Sequence, residues 1–235
     1  MIKLSKRLQC VANMVSTGNG IVDVGTDHAY IPIYMIQQRI KSYAYAADVN
    51  KGPLVIAKNH INEMGLSDSI TTCLSDGLQK TEVKENDSIT IAGMGGLLVK
   101  KIIEQDMDKA KRAKELILQP QSEIMEVRLF LQNNEFEIVD EDAVIDDEKF
   151  YFVIKAVPAN DTKSYSKEEL AFGPVLLKKQ NPVLLEYLQK QIGICDKIKS
   201  ELNKQTRSEA VESRLISVEE ESALMKNVLR DYYEM

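Results

Sequence analysis

The stretch IVDVGTDHAYIP, residues 21–32, decides the fold. It begins with a short apolar run, Ile21 to Val24, which carries one acid, Asp23, and it breaks at Gly25 into a polar turn. An apolar strand that ends in glycine and leads into a turn is typical of the first strand of a nucleotide-binding α/β sheet. The rest of the chain should then supply further strands that alternate with helices.

Strand-like and helix-like segments do alternate from residue 20 to about residue 134. The helical segment 53–64 has Pro53 at its predicted first position and Gly65 just past its end, where these two residues are favoured. Another helix is predicted over 122–135. The predicted strands are GIVDV (20–24), YAYAAD (43–48), SITTCL (69–74), SITIAG (88–93) and ELILQ (115–119). This order predicts a parallel sheet covered by helices.

Two more β-rich runs complete the predicted sheet. FEIVD (136–140) and KFYFVIKAV (149–157) are separated by the acidic segment EDAVIDDE (141–148), which is predicted as a loop. A connection this short favours an antiparallel hairpin. The predicted fold class is therefore α/β, with a domain over residues 1–158 that contains a mostly parallel seven-stranded sheet and one antiparallel hairpin.

A second, helical region is predicted over residues 159–235. The sequence becomes polar and rich in turn residues near Pro158, which indicates a linker, and two long helical stretches follow, joined by NKQTRS (203–208). The second stretch has the stepwise seam of a coiled coil, at Val211, Leu215, Val218, Ser222, Met225, Leu229 and Tyr232. The first has a looser stripe, at Leu184, Leu188, Ile192, Cys195, Ile198 and Leu202. The economical arrangement is an antiparallel coiled-coil hairpin.

The two arms of this hairpin differ in charge. Residues 178–207 hold seven Lys or Arg against three acids, whereas residues 208–235 hold three against seven. Either mutual attraction between the arms or a basic surface for nucleic acid accounts for this asymmetry, and the sequence leaves both open. The net charge of −6 argues only against a general polyanion binder.

Composition excludes several classes of protein. The chain has 235 residues, of which 44% are apolar, enough for one full core and a small accessory element. Three cysteines at unrelated spacings and only two histidines predict neither a disulfide framework nor a metal site. Neither a signal peptide nor a run of 18 apolar residues is evident. We expect a cytoplasmic protein without metal or membrane contact, and favour a monomer, although a coiled-coil seam can also pair two chains.

The predicted strand ends carry residues suited to a ligand, which in an open parallel sheet sits beyond the carboxyl ends of the strands. Asp48 ends the second strand at the spacing from Gly25 that suits a carboxylate bound to ribose hydroxyls. Asp76 and Gly77 follow the third, where an acid can accept from an adenine amino group, and AGMGG (92–96) permits close backbone approach. Taken singly, Asp48 could cap a helix and Asp76 could start a turn. Together the strand ends favour a ligand that contains a nucleoside.

The turn after the first strand decides between two such ligands. A dinucleotide requires G-x-G-x-x-G, and the residues after Gly25 fail at both later glycines. S-adenosylmethionine has no phosphate, and it carries a sulfonium and an ammonium cation that carboxylates such as Asp23 and Asp27 attract. The sequence therefore predicts S-adenosylmethionine and disfavours a nicotinamide dehydrogenase.

At this point a resemblance to a known family is clear. It rests on LSKRL (4–8), DVGTDHAYIP (23–32), AADVNKGPL (46–54), SDGL (75–78), IAGMGG (91–96) and LQPQ (118–121) with the following Arg128. The chain resembles the bacterial tRNA (adenine-22-N1)-methyltransferase family, the TrmK type, over essentially its whole length. The resemblance implies a class I Rossmann-like methyltransferase domain, S-adenosylmethionine as methyl donor, tRNA as partner, and a coiled-coil domain that helps to hold the tRNA.

The resemblance also implies site residues at matching positions. Those expected to bind the cofactor are Asp23, Gly25, Thr26, Asp27, His28, Asp48, Val49, Asp76, Gly77, Gly93, Met94 and Gly95. Those expected at the reacting atoms are Asp27, His28, Gly93 and Met94. For the RNA, the sequence itself offers the basic residues Lys3, Lys6, Arg7, Lys100 and Lys101, and Tyr30 and Arg128 are also expected to contact it. Unlike enzymes that methylate the amino group of adenine, whose fourth strand ends in an Asp/Asn-Pro-Pro-aromatic motif, AGMGG supplies no side-chain acceptor for that amine.

The expected reaction needs few chemical groups. Adenine N1 carries a lone pair, so it needs in-line alignment with the methyl donor rather than a base. In a duplex this nitrogen is paired, and the target must be looped out or flipped. Methylation leaves the purine cationic, so Asp27 is expected to stabilise that charge or to hold the amino group, with the carbonyls of Ala92 and Gly93 as further acceptors. A purely cofactor-binding Asp27 stays possible.

Two other functions also remain open at this stage. One is a methyltransferase that acts on another RNA or on a small molecule. The other is a non-catalytic adaptor that binds the cofactor and uses its helical hairpin to hold a protein partner.

Overall fold

The structure, a computed structural model, describes residues 2–160 and 163–235. The chain divides into two compact units, Met1–Tyr165 and Ser166–Met235. The strands of the first unit are β1 (Gly20–Val24), β2 (Tyr43–Asp48), β3 (Ile70–Leu74), β4 (Ser88–Met94), β5 (Glu115–Pro120), β6 (Phe136–Asp146) and β7 (Lys149–Pro158). Its helices are α1 (Lys6–Met14), α2 (Tyr30–Gln37), α3 (Lys51–Glu63), α4 (Gly96–Gln105), α5 (Met107–Arg112) and α6 (Ile124–Asn133).

The seven strands form one sheet in the order β3-β2-β1-β4-β5-β7-β6. The first five strands are parallel to one another, and β7 runs antiparallel to both β5 and β6. Every residue of β1 and of β5 is buried, as expected for central strands covered by helices on both faces. The predicted α/β fold is confirmed, and the strand order reverses between β1 and β4, which places a ligand site at that point.

The hairpin at the sheet edge differs from the prediction. The segment 141–148 is largely strand, because β6 continues to Asp146, which pairs with Lys149. Only Asp147 and Glu148 form the turn, with φ of +46° and +61°, and two left-handed residues make the tight turn whose twist suits a hairpin. The acidic composition of the segment, which is unusual in strands, concealed the strand.

The start of α3 also differs from the prediction. The helix begins at Lys51, so Pro53 is its third residue and not its first. Proline is still tolerated there because the first amides of a helix have no carbonyl partner within the helix. Gly65 has a φ of +67° just past the helix end, which confirms its predicted role.

Arg128 is a core residue, so its assignment to the RNA surface was wrong. Its side chain is 1% exposed, and its Nε donates to Oε1 of Glu141 at 2.8 Å, where Glu141 is itself fully buried. A buried guanidinium requires an opposite charge of this kind, because a charged side chain taken out of water without one strongly destabilises the fold. The pair ties α6 to β6.

The second unit contains α7 (Lys167–Phe172), α8 (Pro174–Lys178), α9 (Pro182–Leu202) and α10 (Glu209–Tyr233). The last two helices are antiparallel. Lys199 pairs with Glu219, whereas Asp196, which is earlier in α9, pairs with Lys226, which is later in α10. The buried residues of α10 are Leu215, Val218, Ser222, Met225 and Val228. The predicted seam is thus confirmed at its centre, whereas Val228 replaces Leu229 near its end.

The boundary between the units lies slightly beyond the predicted one. Residue 158 ends β7, but the described residues 163–165 still belong to the first unit, where the Tyr165 hydroxyl accepts from the amide of Ile138 at 3.2 Å. Asp161 and Thr162, in the predicted linker, lie outside the described residues. Among the helices that the structure describes, none is long and apolar enough to cross a membrane.

Candidate active site

A cavity of about 490 Å³ lies in the first unit, at the carboxyl ends of β1, β2 and β4. This is the size of a pocket for a nucleoside-sized ligand, and the position is the switch point of the sheet. Ten of the predicted cofactor residues line it: Asp23, Gly25, Thr26, Asp27, Asp48, Val49, Asp76, Gly77, Gly93 and Met94. Arg7 and Tyr30, predicted to contact RNA, also line it.

The turn after β1 is held close to the sheet. The amides of Gly25 and Thr26 both donate to the carbonyl of Ala47, each at 2.9 Å. Gly25 has a φ of +71°, and a Cβ atom there would lie 2.0 Å from Cε of Met94. Asp27 and Ala29 are also left-handed, with φ of +52° and +59°, a conformation that costs energy for residues other than glycine. The turn therefore packs closely against the ends of β2 and β4 and places Asp27 at the cavity.

Asp23 lies in β1 just before this turn, and its side chain is buried, with 4% exposed. Its two carboxylate oxygens accept from the hydroxyls of Thr90 at 2.6 Å and Thr26 at 2.7 Å. Burial raises the pKa of Asp23 to about 6, although both hydrogen bonds act in the opposite direction, and the nearby carboxylate of Asp48 adds to the rise. A cation bound at this wall of the cavity would favour the ionised carboxylate.

The end of β2 presents one acid and one apolar side chain. Asp48 is 8% exposed, and its Oδ1 accepts from the amide of Asn50 at 2.8 Å, which fixes the orientation of the carboxylate. Val49 lines the cavity and is 60% exposed. A fixed carboxylate beside an accessible apolar surface can take the hydroxyls of a ribose and the face of a purine.

The cavity is also lined by apolar residues that the sequence analysis missed. Leu98 and Ile102, four residues apart on one side of α4, line the cavity beside Gly77. Gly77 has a φ of +58°, and a Cβ atom there would lie 3.0 Å from Ile102. In the sequence these two side chains are indistinguishable from the core residues of an amphipathic helix. Their position directly after AGMGG was the only available signal.

The end of β4 bends away from regular pairing at Gly93, which has a φ of +80° within a bulge between Ala92 and Met94. Its amide donates to Oε1 of the buried Gln119 at 3.2 Å, and the same oxygen accepts from Nη1 of Arg7 at 2.9 Å. Gln119 therefore links the glycine turn to α1. Arg7 belongs to the wall of the cavity, which the RNA assignment from sequence did not anticipate.

Gly95 does not line the cavity, which corrects its predicted cofactor contact. It is the N-cap residue of α4, and the next amide, of Gly96, donates to the carbonyl of Ser122 at 3.1 Å. Gly96 needs to be glycine, because a Cβ atom there would lie 2.4 Å from that carbonyl. The second half of AGMGG thus seats α4 against the segment that precedes α6.

His28 is likewise outside the cavity lining, so its predicted contact with the cofactor is not supported. Its ring packs at 5.4 Å from Tyr30 and 5.7 Å from His60, and its Nε2 lies 3.4 Å from Oδ2 of Asp27. Its Nδ1 is buried and has no hydrogen-bond partner among the described residues. The ring therefore packs against other aromatic rings beside the cavity and contacts Asp27 at one edge.

The other predicted RNA residues lie away from the cavity wall. Lys3 and Lys6 are exposed near the start of α1 and do not line the cavity. Among the residues that the structure describes, no group of three or more His, Cys, Asp or Glu could hold a metal ion. The cavity instead gathers carboxylates at strand ends, without a glycine loop for phosphate, and this arrangement suits a cationic nucleoside.

Comparison with known proteins places the chain among tRNA-modifying enzymes. A profile of the family "TrmK: tRNA (adenine(22)-N(1))-methyltransferase" matches residues 21–226. A curated tRNA (adenine(22)-N(1))-methyltransferase from Bacillus subtilis is 32% identical over 232 residues, which covers 97% of this chain and 98% of that protein.

Two ligand-bound structures resemble nearly all of the chain. The crystal structure of Streptococcus pneumoniae Sp1610 in complex with S-adenosyl-L-methionine has a TM-score of 0.83 and 32% identity, over 97% of this chain and 100% of that one. The structure of M. capricolum TrmK in complex with the product S-adenosyl-homocysteine has a TM-score of 0.83 and 27% identity, over 97% of this chain and 99% of that one.

Proposed function

The chain belongs to the tRNA (adenine(22)-N(1))-methyltransferase family, and from that premise we propose which of its residues perform the reaction. The enzyme transfers a methyl group from S-adenosylmethionine to N1 of an adenine in tRNA. The observation that supports the assignment of roles is the cavity at the switch point, where Asp23, Asp48 and Asp76 lie at the carboxyl ends of three neighbouring strands.

The residues present fit this cofactor. We assign the ribose hydroxyls to Asp48, the adenine ring to Val49 and Leu98, and the adenine amino group to Asp76. The wall formed by Asp23 and the Gly25 turn suits the ammonium group, because a carboxylate attracts it where a phosphate would be repelled. When bound, S-adenosylmethionine supplies a methyl group made electrophilic by its sulfonium.

Asp27 has the chemical role in this proposal. As N1 forms its bond to the methyl carbon, the electrons of the carbon–sulfur bond pass to sulfur, and the positive charge moves from the sulfonium to the purine. A carboxylate at the cavity mouth stabilises that charge where it develops. Asp27 lines the cavity with its side chain 66% exposed, and its Oδ2 lies 3.4 Å from Nε2 of His28. Tyr30 offers the target base a stacking surface.

Mass spectrometry of a methylated tRNA tests the proposed function. Unmodified tRNA is incubated with the protein and S-adenosylmethionine, digested and mapped. We expect 1-methyladenosine at a single position in the D-arm region. A different modified base, or methylation of small acceptors in preference to tRNA, would contradict the proposal, and binding of the cofactor without methylation of any RNA would favour a non-catalytic adaptor.

A pair of variants tests the division between chemistry and binding. We expect Asp27→Asn to lower kcat by about 100-fold, because it removes the charge that stabilises the cationic product, while the Kd for S-adenosylmethionine stays within a few-fold. Asp76→Asn is the matched control at the same edge of the sheet, and it should raise the Kd for the cofactor more than it lowers kcat. Equal losses of binding and turnover in Asp27→Asn would make that residue a cofactor ligand only.

We also propose that the enzyme acts in the cytoplasm as a monomer. The location follows from its tRNA substrate, and the monomer follows from the seam between α9 and α10, which pairs within one chain. Light scattering at micromolar concentration tests the second point. A dimer mass that persists on dilution would contradict it.

A further inference from the structure

The first turn of α4 exposes a large apolar side chain beside the active-site cavity. Leu97 is 60% exposed, among the most exposed large apolar residues of the chain. The next residue, Leu98, lines the cavity and is 45% exposed. Exposed single leucines are common, but this one adjoins the rim of a cavity that must receive a base from RNA.

The helix turn that carries Leu97 is firmly held. Gly95 caps the helix, its carbonyl accepts from the amides of Leu98 and Val99, and the amide of Gly96 donates to Ser122. On the inner side of the helix, Val99 is fully buried. Leu97 therefore projects from a rigid support and does not belong to a flexible loop.

A cation follows on the same side of the helix. Lys101 is four residues after Leu97, so the two side chains are neighbours on the helix surface. Lys101 is exposed and has no ion-pair partner in the part of the chain that the structure describes, whereas Lys100 pairs with Glu126 at 3.4 Å. The apolar side chain of Leu97 is suited to contact stacked bases, and the ammonium group of Lys101 is suited to contact a neighbouring phosphate.

We propose that Leu97 is a wedge that enters the base stack of the tRNA, in the space that the target adenine leaves when it turns into the cavity. Lys101 contacts a phosphate beside that space. The inference rests on the proposed function, since only a base that must leave a stack requires a wedge. Separation of stacked bases is unfavourable, and an inserted apolar side chain restores part of the lost contact.

Two substrates separate a wedge from a general contact. The first is folded unmodified tRNA, and the second is a short single-stranded RNA with the same bases around the target. We expect Leu97→Ala to lower kcat/KM on the folded tRNA by about 10- to 100-fold, and on the single strand by less than about twofold, because the single strand has no stable stack to open. Leu97→Met should restore most of the activity on tRNA.

A tRNA that carries a fluorescent base allows the opening of the base stack to be measured directly. With 2-aminopurine in place of the target adenine, binding of the unaltered protein should increase the fluorescence as the base leaves its stack. Saturating concentrations of Leu97→Ala should bind the tRNA without this increase in fluorescence. Val55→Ala is the matched control, because Val55 is 59% exposed on α3 and does not line the cavity. The Kd for S-adenosylmethionine should be unchanged in all of these variants.

Three outcomes would overturn the wedge. The first is full activity of Leu97→Ala on folded tRNA, and the second is an equal loss of its kcat/KM on both substrates. The third is an increase in 2-aminopurine fluorescence with Leu97→Ala that equals the increase with the unaltered protein. Failure of the proposed function is distinguishable, because the unaltered protein would then methylate neither RNA.

Discussion

At the end of β1, Asp23 is both a core residue and part of the cavity wall. It is 4% exposed, and both of its oxygens are occupied by threonine hydroxyls. Burial raises its pKa to about 6, so the free protein holds a proton there at pH values where an exposed aspartate is ionised. The residue therefore links the stability of the sheet to the pH and to the charge of whatever occupies the cavity.

The raised pKa predicts how stability without cofactor depends on pH. Between pH 4 and pH 6 the unfolded chain loses the Asp23 proton while the folded chain retains it, so rising pH favours unfolding in this window. We expect this residue to lower the free energy of unfolding by up to about 3 kcal/mol across the window. Asp23→Asn lacks the titration, so its stability relative to the unaltered protein should rise from pH 4 to pH 7, measured by urea unfolding.

A second variant checks that the effect comes from this carboxylate. Thr90→Val removes a donor to Oδ1 of Asp23, and its loss should raise the pKa of Asp23 further. The window of decreasing stability should then extend to higher pH. Parallel stability curves for the unaltered protein and Asp23→Asn would exclude the proposed coupling.

At the scale of elements, the pairing of α9 with α10 contains a polar gap. Ser222 lies on the seam of α10, 8% exposed, and its Oγ has no hydrogen-bond partner among the residues that the structure describes. A gap of about 210 Å³ beside it is also lined by Cys195. A buried hydroxyl without a partner is destabilising, so this position does not have its most stable residue.

Replacement of that hydroxyl should stabilise the helical hairpin. We expect Ser222→Ala to raise the free energy of unfolding by about 1 kcal/mol, because it removes an unsatisfied polar group and improves helix propensity. Ser200→Ala on α9 is the matched control, since Ser200 is exposed and gains helix propensity only. Thermal unfolding followed by circular dichroism measures both. A smaller gain at 222 than at 200 would mean that the Ser222 hydroxyl has a stabilising partner.

The sequence predicted the five parallel strands to within one residue at each end. Strands buried on both faces are short, apolar and bounded by turn residues, so the local pattern suffices. The local pattern failed for β6, where the buried acid Glu141 pairs with Arg128, a contact between segments that such a pattern does not reveal. The same dependence on a distant contact explains why Arg128 was wrongly predicted to lie on the RNA-binding surface.

The candidate site was predicted in part for a similar reason. Acids and glycines at strand ends are visible in the sequence, and they do meet at one edge of the sheet. Leu98 and Ile102 were missed because an apolar residue that lines a cavity looks the same in sequence as one that lines the core. His28 was placed at the cofactor, although its backbone turn directs its ring toward Tyr30 and His60.

At the scale of the whole molecule, the active-site cavity is confined to one of the two units. Every residue that lines the cavity precedes residue 122 and belongs to the first unit. In the second unit, Lys199 pairs with Glu219 and Lys226 with Asp196, so attraction between the arms accounts for part of their opposite charge. Lys197 is exposed on α9 and has no ion-pair partner in the described part of the chain, and it stays available to a polyanion.

This division predicts the result of removing the second unit. A chain that ends at Tyr165 keeps the entire sheet, the hydrogen bond from Ile138 to Tyr165, and all cavity residues. We expect it to bind S-adenosylmethionine with a Kd within about threefold of the full chain, because domains with their own core can fold alone. Its KM for tRNA should rise at least about tenfold, through loss of phosphate contacts that position the substrate.

Calorimetry with the cofactor and steady-state methylation measure the two expected effects on the truncated chain. The comparison is with the full chain carrying Lys197→Glu, which should raise the KM for tRNA in the same direction, by a smaller factor that diminishes as salt is added. If the truncated chain folds by circular dichroism and methylates tRNA with an unchanged KM, the helical hairpin does not hold the substrate. If it folds but loses the cofactor, the first unit does not contain the whole cofactor site, and the roles assigned to Asp23, Asp48 and Asp76 would have to be shared with the helical unit.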